Sequence, residues 1–351
     1  MNENYQKKAK KLITNAKWFP VLIGVVVLIF IYCIPVFHPI YLEHNRLCPY
    51  DVLLEGFHAE VGNYYPSEEE IEIVKIPSLL YGRPVTEIMD QTWQYYSVGA
   101  TVCLPDTVKV IGYRAFNKNK IVEEVYAKNV EIVDKWAFAE MENLHIAELG
   151  NHLESINHVA FYECKNLLHF DYPDSLKKIG YEAFRDSGVE NIPENGDILL
   201  WEDAFYNTSW EKSNDETFVT LDYYNEDDNR VMPTLLRYNG KEKTVVIPEG
   251  VEVIGGAKIL EEKCRYQVDE VFLPNTVTKL RGNIFKGQSH LTIYMPDSVE
   301  KIRGNYSGIG KIVTIAGSRA ENYAKENNVP VESLSEEEFW SRYPESAKAE
   351  E

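Results

Sequence analysis

Hydrophobic positions recur along most of this chain at an interval of about 22 residues. An Ala-Phe pair stands at Ala115-Phe116, Ala137-Phe138, Ala160-Phe161, Ala183-Phe184 and Ala204-Phe205, so the Phe spacings are 22, 23, 23 and 21. Five residues before each Phe sit Ile111, Val133, Ile156, Ile179 and Leu200. Three residues before those sit Val108, Val130, Leu153 and Leu176, with Asp197 as the exception. A Gly follows the Ile at Gly112 and Gly180, and a Pro precedes the unit at Pro105 and Pro173.

Each period predicts one coil. The residues before the Pro alternate, as in Val102 and Leu104, Val271 and Leu273, or Ile293 and Met295. Period-two alternation predicts a strand with one buried face. Pro cannot donate to a ladder and ends that strand. The Val and Ile slots turn a corner inward, Gly supplies a tight bend, and the Phe enters the interior beside a small Ala. One coil cannot bury that ring alone, so neighbouring coils must, and stability comes from nearest-neighbour interfaces. Successive strands are expected ~4.8 Å apart.

The frame extends in both directions. Val85, Ile88 and Trp93 fit the Val, Ile and Phe slots upstream. Downstream, residues 247–255 fit with Ile259 in the Phe slot, 273–285 with Ile284-Phe285, and 295–304 with Ser307 in the Phe slot. Ala127 and Gly150 fill the Pro slot of two units, and Trp136 replaces a polar residue. The interval from Phe205 to Ile259 exceeds one unit, which places an insertion at about 206–243.

Ahead of the repeats lies an uncharged stretch, residues 18–37. Twenty residues at helical rise span about 30 Å, a hydrocarbon core. Lys7, Lys8, Lys10, Lys11 and Lys17 precede it. That asymmetry predicts a single membrane helix with residues 1–17 as a cytoplasmic basic tail and the remainder outside. A cleaved signal peptide has a shorter apolar run followed by small residues. From His38 onward there are 31 basic and 54 acidic residues, a formal charge of −23. Nucleic acid would be repelled by such a surface, and five cysteines do not make a disulfide scaffold.

The pattern I-P-x-x-V-x-x-I-G-x-x-A-F resembles the BspA-type (Treponema-type) leucine-rich repeat of bacterial surface proteins, from about Ile71 to Val331. Residues 73–88 resemble its first repeat, 204–210 with 235–248 its mid-array insertion, and 317–331 its terminal cap. The resemblance implies a mainly β repeat solenoid, a right-handed coil with a parallel sheet along one face. The expected organisation is a juxtamembrane linker and N-terminal cap at 38–70, a solenoid at 71–331 and an acidic tail at 332–351. The implied role is a membrane-anchored surface protein that binds an extracellular protein or glycan. The alternatives are a structural subunit of an envelope complex, or an enzyme with its site in the 206–243 insertion.

Candidate chemistry is sparse. There is no G-x-S-x-G and no H-E-x-x-H, and Gly308-Ile309-Gly310-Lys311 lacks the spacing of a phosphate loop. No cofactor or metal site is expected: His145, His152, His158 and His169 fall in different repeat slots. Cys103, Cys164 and Cys264 read as small buried thiols, and Cys33 and Cys48 flank the apolar segment's end. Asp215, Glu216, Asp222 and Asp227 are the acids an enzyme reading would need, and the stretch 225–229 reads as a solvated loop. Phe116, Phe138, Phe161, Phe184, Phe205 and Phe285 are the expected core. The residue two before the Pro slot should face out: Lys75, Cys103, Val125, Glu148, Asp171, Val246, Phe272 and Tyr294. The last three are apolar on neighbouring coils, so Val246, Phe272 and Tyr294 are the expected recognition stripe.

Overall fold

The computed structural model describes residues 40–43, 50–55, 58–64, 73–94, 99–255 and 268–344. The expected membrane helix at 18–37, Cys33, Cys48, Cys264 and Ile259 lie outside the described residues. Among the described residues no helix is long and apolar enough to cross a membrane. The chain divides into two compact units, residues 1–176 and 177–351.

The first unit opens with an antiparallel meander of strands Ile40–Leu42, Tyr50–Glu55 and His58–Tyr64. The third strand pairs in parallel with Arg83–Ile88, and the ladder continues through Val110–Ile111, Ile132–Val133 and Ser155–Ile156. A second parallel ladder joins Ile73–Lys75, Thr101–Cys103, Glu124–Tyr126 and Ile146–Glu148. The single sheet expected from the alternating segment is thus two ladders. The Ile slot is not merely a corner: a straight segment stacked on its copy one coil later also pairs its backbone groups, as buried N–H and C=O require.

The turn carrying Ala-Phe forms a third hydrogen-bonded column. Trp136, Phe138 and Glu140 donate their N–H groups to His158, Ala160 and Tyr162 oxygens at 3.1, 2.8 and 2.7 Å. Residues two before the Phe (Arg114, Trp136, Val159) and two after it (Lys118, Glu140, Glu163) have φ between 55° and 63°. Left-handed backbone costs an L-residue about 1–2 kcal/mol. It persists because the alternation aims every second N–H along the column at the next coil.

Inside that turn the rings stack. Trp93 and Phe116 centroids lie 4.8 Å apart. Phe116–Phe138 and Phe138–Phe161 follow at 5.1 and 5.0 Å, within 10° of parallel. The slot three residues after each ring, held by Asn119, Met141 and Cys164, is fully buried. Its polar members serve the preceding coil: Asn119 donates to the Trp93 carbonyl and the Cys164 thiol to the Phe138 carbonyl, each at 3.0 Å. Burial pushes the Cys164 thiol up to about 12, so it stays protonated and inert.

Two slots differ from the sequence frame. Glu124–Tyr126 pairs with Thr101–Cys103 so that Tyr126, not Val125, lies opposite Cys103. Val125 is core, and the Pro slot is therefore held by Lys128 rather than Ala127. Gly112 does not bend the chain through positive φ. Its N–H meets the Ile88 carbonyl at 2.9 Å, and a Cβ there would lie 2.6 Å from that oxygen.

The second unit begins with the parallel strands Lys178–Ile179 and Leu199–Leu200, and Phe184 stacks on Phe205 at 5.3 Å. The insertion is a short helix, Ser209–Ser213, followed by an antiparallel hairpin of Phe218–Asn225 and Arg230–Tyr238. The hairpin is not an appendage: its second strand pairs in parallel with Val253–Ile254, and the ladder runs on through Lys279–Arg281 and Lys301–Arg303. A second ladder contains Thr244–Val246, Glu270–Phe272, Thr292–Met295, Lys311–Ile315 and Val331–Leu334. Tyr306, one residue before Ser307, fills the last Phe slot and packs on Phe285 at 6.2 Å.

Tyrosine hydroxyls serve the backbone where the regular stack stops. Tyr223 OH accepts from Phe205 N–H and Tyr323 OH from Tyr306 N–H, both at 3.3 Å. Tyr323 belongs to the helix Arg319–Glu326, which buries Ala320, Tyr323 and Ala324. This helix falls within the stretch expected as a terminal cap, and the stretch expected as an acidic tail forms regular elements. Residues 331–334 add a strand, and the helix Glu336–Ser341 follows, capped by Ser335.

Candidate functional site

The outward residues of the alternating ladders are the surface a repeat protein has available for contact, and the two units treat it differently. In the first unit the middle residues Val74, Val102, Val125 and Ala147 are buried. Their neighbours Thr101, Cys103, Glu124, Tyr126 and Ile146 are half-buried, while Ile73, Lys75 and Glu148 are exposed. Glu124 is the hub: it accepts from Thr101 Oγ1 at 3.1 Å and Tyr126 OH at 3.2 Å, with His145 Nε2 3.5 Å away. Loss of solvent, then the Glu124 carboxylate, pushes the Tyr126 phenol up, so it remains a donor. Polar groups held by one another, with free lone pairs and an aromatic edge, suit a polar ligand.

In the second unit the equivalent column reads Val246, Phe272, Tyr294, Val313 and Glu332 in register. The same polar trio recurs: Glu270 accepts from Thr244 Oγ1 at 3.3 Å and Tyr294 OH at 3.1 Å. Yet the expected exposed stripe is covered. Phe272 is 3 % and Tyr294 8 % exposed, and Val246 is half-buried against the same cluster. The cover is the segment expected as an acidic tail, 332–351.

Phe272 and Tyr294 stack at 4.0 Å and 11°. Tyr343 meets Phe272 edge-on at 5.0 Å, and Phe339 packs beside Tyr343 at 5.2 Å. Tyr343 OH donates to Leu273 O at 2.7 Å, with Tyr294 O at 3.3 Å. Glu332 pairs with Lys311 at 2.6 Å and Arg342 at 2.7 Å, and hydrogen bonds from both hold its carboxyl below the usual range. The apolar outward residues are counterparts to a segment of this same chain.

The insertion's acids do not converge on a reaction centre. Asp215, Glu216 and Asp222 are exposed. Asp227 binds Arg303 at 2.8 Å, while Asp228 binds Lys279 and lies 3.5 Å from Lys301. The 225–229 turn is therefore a counter-charge to Lys279, Lys301 and Arg303 rather than a solvated loop. Asn225 Oδ1 completes the Lys279 site at 2.9 Å. Sequence spacing missed this because the partners lie 51 to 76 residues apart. Two further acids lie nearby, Asp203 half-buried and Glu211 buried, and loss of solvent raises them to about 6 and about 7. Glu211 accepts from Asn207 N–H at 2.5 Å and lies 3.6 Å from Arg237 Nε.

The histidines also separate: His145 faces Glu124, and His169 faces Asp171 at 3.0 Å. Among the described residues no group of three or more His, Cys, Asp or Glu could hold a metal ion.

The family profile of the BspA type leucine rich repeat region matches residues 61–190 and 237–308 in six copies, more than half of the chain. No curated protein matches. Among solved structures, a leucine rich cell surface protein from Faecalibacterium prausnitzii is similar at 17 % identity and a TM-score of 0.51, covering 86 % of this chain and 97 % of that one. The pneumococcal vaccine antigen PcpA is similar at 14 % identity and a TM-score of 0.51, covering 84 % and 99 %. At these identities the likeness is one of fold.

Proposed function

Because the chain belongs to the BspA-type leucine-rich-repeat family, we propose that it is a surface binding protein whose contact face is the outward side of the first unit's alternating ladder. The observation that carries this reading is the contrast between two equivalent columns. Lys75 and Glu148 are exposed and Cys103 and Tyr126 half-buried, whereas Phe272 and Tyr294 are buried beside Phe339 and Tyr343. The open face offers the Thr101–Glu124–Tyr126 hydrogen-bonding group and the His145 ring. This mixture fits an extracellular protein or glycan better than a small apolar molecule, which needs a concave apolar pocket. The apolar segment 18–37 serves as a membrane anchor, with the basic residues 1–17 inside and the repeats outside. The reading gives the chain no catalytic step, since the insertion's acids are spent on lysine and arginine partners or stand apart.

The test uses the full chain in detergent, presented to a glycan array and to a panel of extracellular-matrix proteins. The double change Glu124→Ala and Tyr126→Ala should lower capture by about tenfold or more, as loss of a central anchor does, with an unchanged melting temperature. Undiminished capture would overturn this face as the site. Protease accessibility of Asp215 and Glu216 in whole cells tests the orientation.

A further inference from the structure

The described residues contain nine exposed large hydrophobic side chains, and four of them crowd into residues 41–81: Tyr41, Ile73, Leu79 and Tyr81 are 52, 49, 59 and 36 % exposed. They share the leading end of the first unit. Tyr41 lies on the outermost strand of one ladder and Ile73 on the outermost strand of the other. Leu79 and Tyr81 form the tip of a tight hairpin, with Leu79 opposite Pro84 and Leu80 opposite Arg83. The tip turns through Tyr81 and Gly82 at φ 52° and 76°.

Chain length decides what this end faces. The apolar stretch stops at Phe37, and the first strand begins at Ile40. His38 and Pro39 alone lie between them, a reach of at most about 10 Å from Phe37 to Ile40, so an anchored segment 18–37 leaves Tyr41 at the headgroup level. Seven of the chain's 23 tyrosines fall in residues 41–96, and tyrosine favours the interface between hydrocarbon and water. We propose that this end of the first unit seats on the outer lipid surface through Tyr41, Ile73, Leu79 and Tyr81. The contact fixes the repeat axis against the membrane instead of leaving it to swing on the two-residue connection His38-Pro39. The interaction is apolar: Glu68, Glu69, Glu70 and Glu72 in the same stretch oppose anionic lipid, so seating should survive high salt.

This inference rests on the anchor reading, and one experiment separates the two. The full chain is reconstituted in phosphatidylcholine vesicles with a photoactivatable benzophenone side chain at position 79, 168 or 25 in turn. Position 168 is the control, because Leu168 is 51 % exposed and belongs to a later coil. Position 25 reports insertion of the anchor. Seating predicts lipid adducts at 79 about tenfold above 168, unchanged in 1 M salt, where the Debye length is only ~3 Å. Adducts at 25 with equal, background yields at 79 and 168 overturn the seating and leave the anchor standing. Background at all three positions overturns both. Adducts at 79 without any at 25 keep the lipid contact and remove the anchor. The double change Leu79→Ser and Tyr81→Ser, with the benzophenone at position 41, should reduce its adducts severalfold. The hairpin tip is exposed, so that variant folds.

Discussion

The two units carry the same ladder, with buried middle residues and a Thr–Glu–Tyr group outside it, yet one column stays open and the other lies beneath an aromatic helix. The difference shows that an apolar residue at an outward repeat position reports a cover, and that the cover can come from the chain itself. Exposure was expected for Phe272 because the repeat frame describes only neighbours one coil away. The residues that bury it lie beyond the last repeat.

The largest effect should come from Phe272→Ser. It removes a buried ring and leaves a cavity under Tyr343, costing roughly 3–5 kcal/mol, whereas Cys103→Ser in the open column should cost under about 0.5 kcal/mol. Denaturant melts of both variants check this, and equal losses would erase the distinction between the faces.

Next is a pH effect from the buried Glu211 of the second unit. Burial raises Glu211 to about 7, so the folded state favours its neutral form. The sign follows: stability from this group is full below the unfolded carboxyl range and lost as pH rises through about 7. Glu211→Gln should remove roughly 2–3 kcal/mol of that dependence between pH 5 and 8, read from melts across pH. A slope unchanged by the substitution would place the titration elsewhere.

Asp228→Asn should cost about 1–3 kcal/mol, because Lys279 is buried and loses its charged partner. The first unit's exposed pair Lys109–Glu131, at 2.8 Å, should contribute under about 1 kcal/mol; a double-mutant cycle on each pair compares them. The smallest change is Lys118→Gly, which relieves a left-handed residue at φ 61°. It should raise stability by less than about 1 kcal/mol, since glycine also gains freedom when unfolded.

Much of the interior was legible. In the first unit the Val, Ile and Phe slots are buried where the 22-residue frame puts them, and Phe116, Phe138 and Phe161 stack in sequence order. The frame slipped where its marker was missing. With Lys128 in the Pro slot, nothing in the sequence marks Tyr126 rather than Val125 as the outward residue, and the last Phe slot falls on Tyr306 rather than Ser307. The left-handed turn residues carried no signal either, because Arg114, Trp136 and Val159 share no side-chain chemistry. Only the direction of their N–H groups matters.

What the amino-acid order determined is the inward column, because each buried ring needs a copy of itself one period away, and that demand prints a period on the chain. What only the tertiary structure decided is which outward surface remains free. Tyr343 reaches Tyr294 and Leu273 across 49 and 70 residues, and Asp228 reaches Lys279 across 51. Contacts of that separation form once, not once per coil, so no periodicity announces them and only the folded backbone brings their partners together.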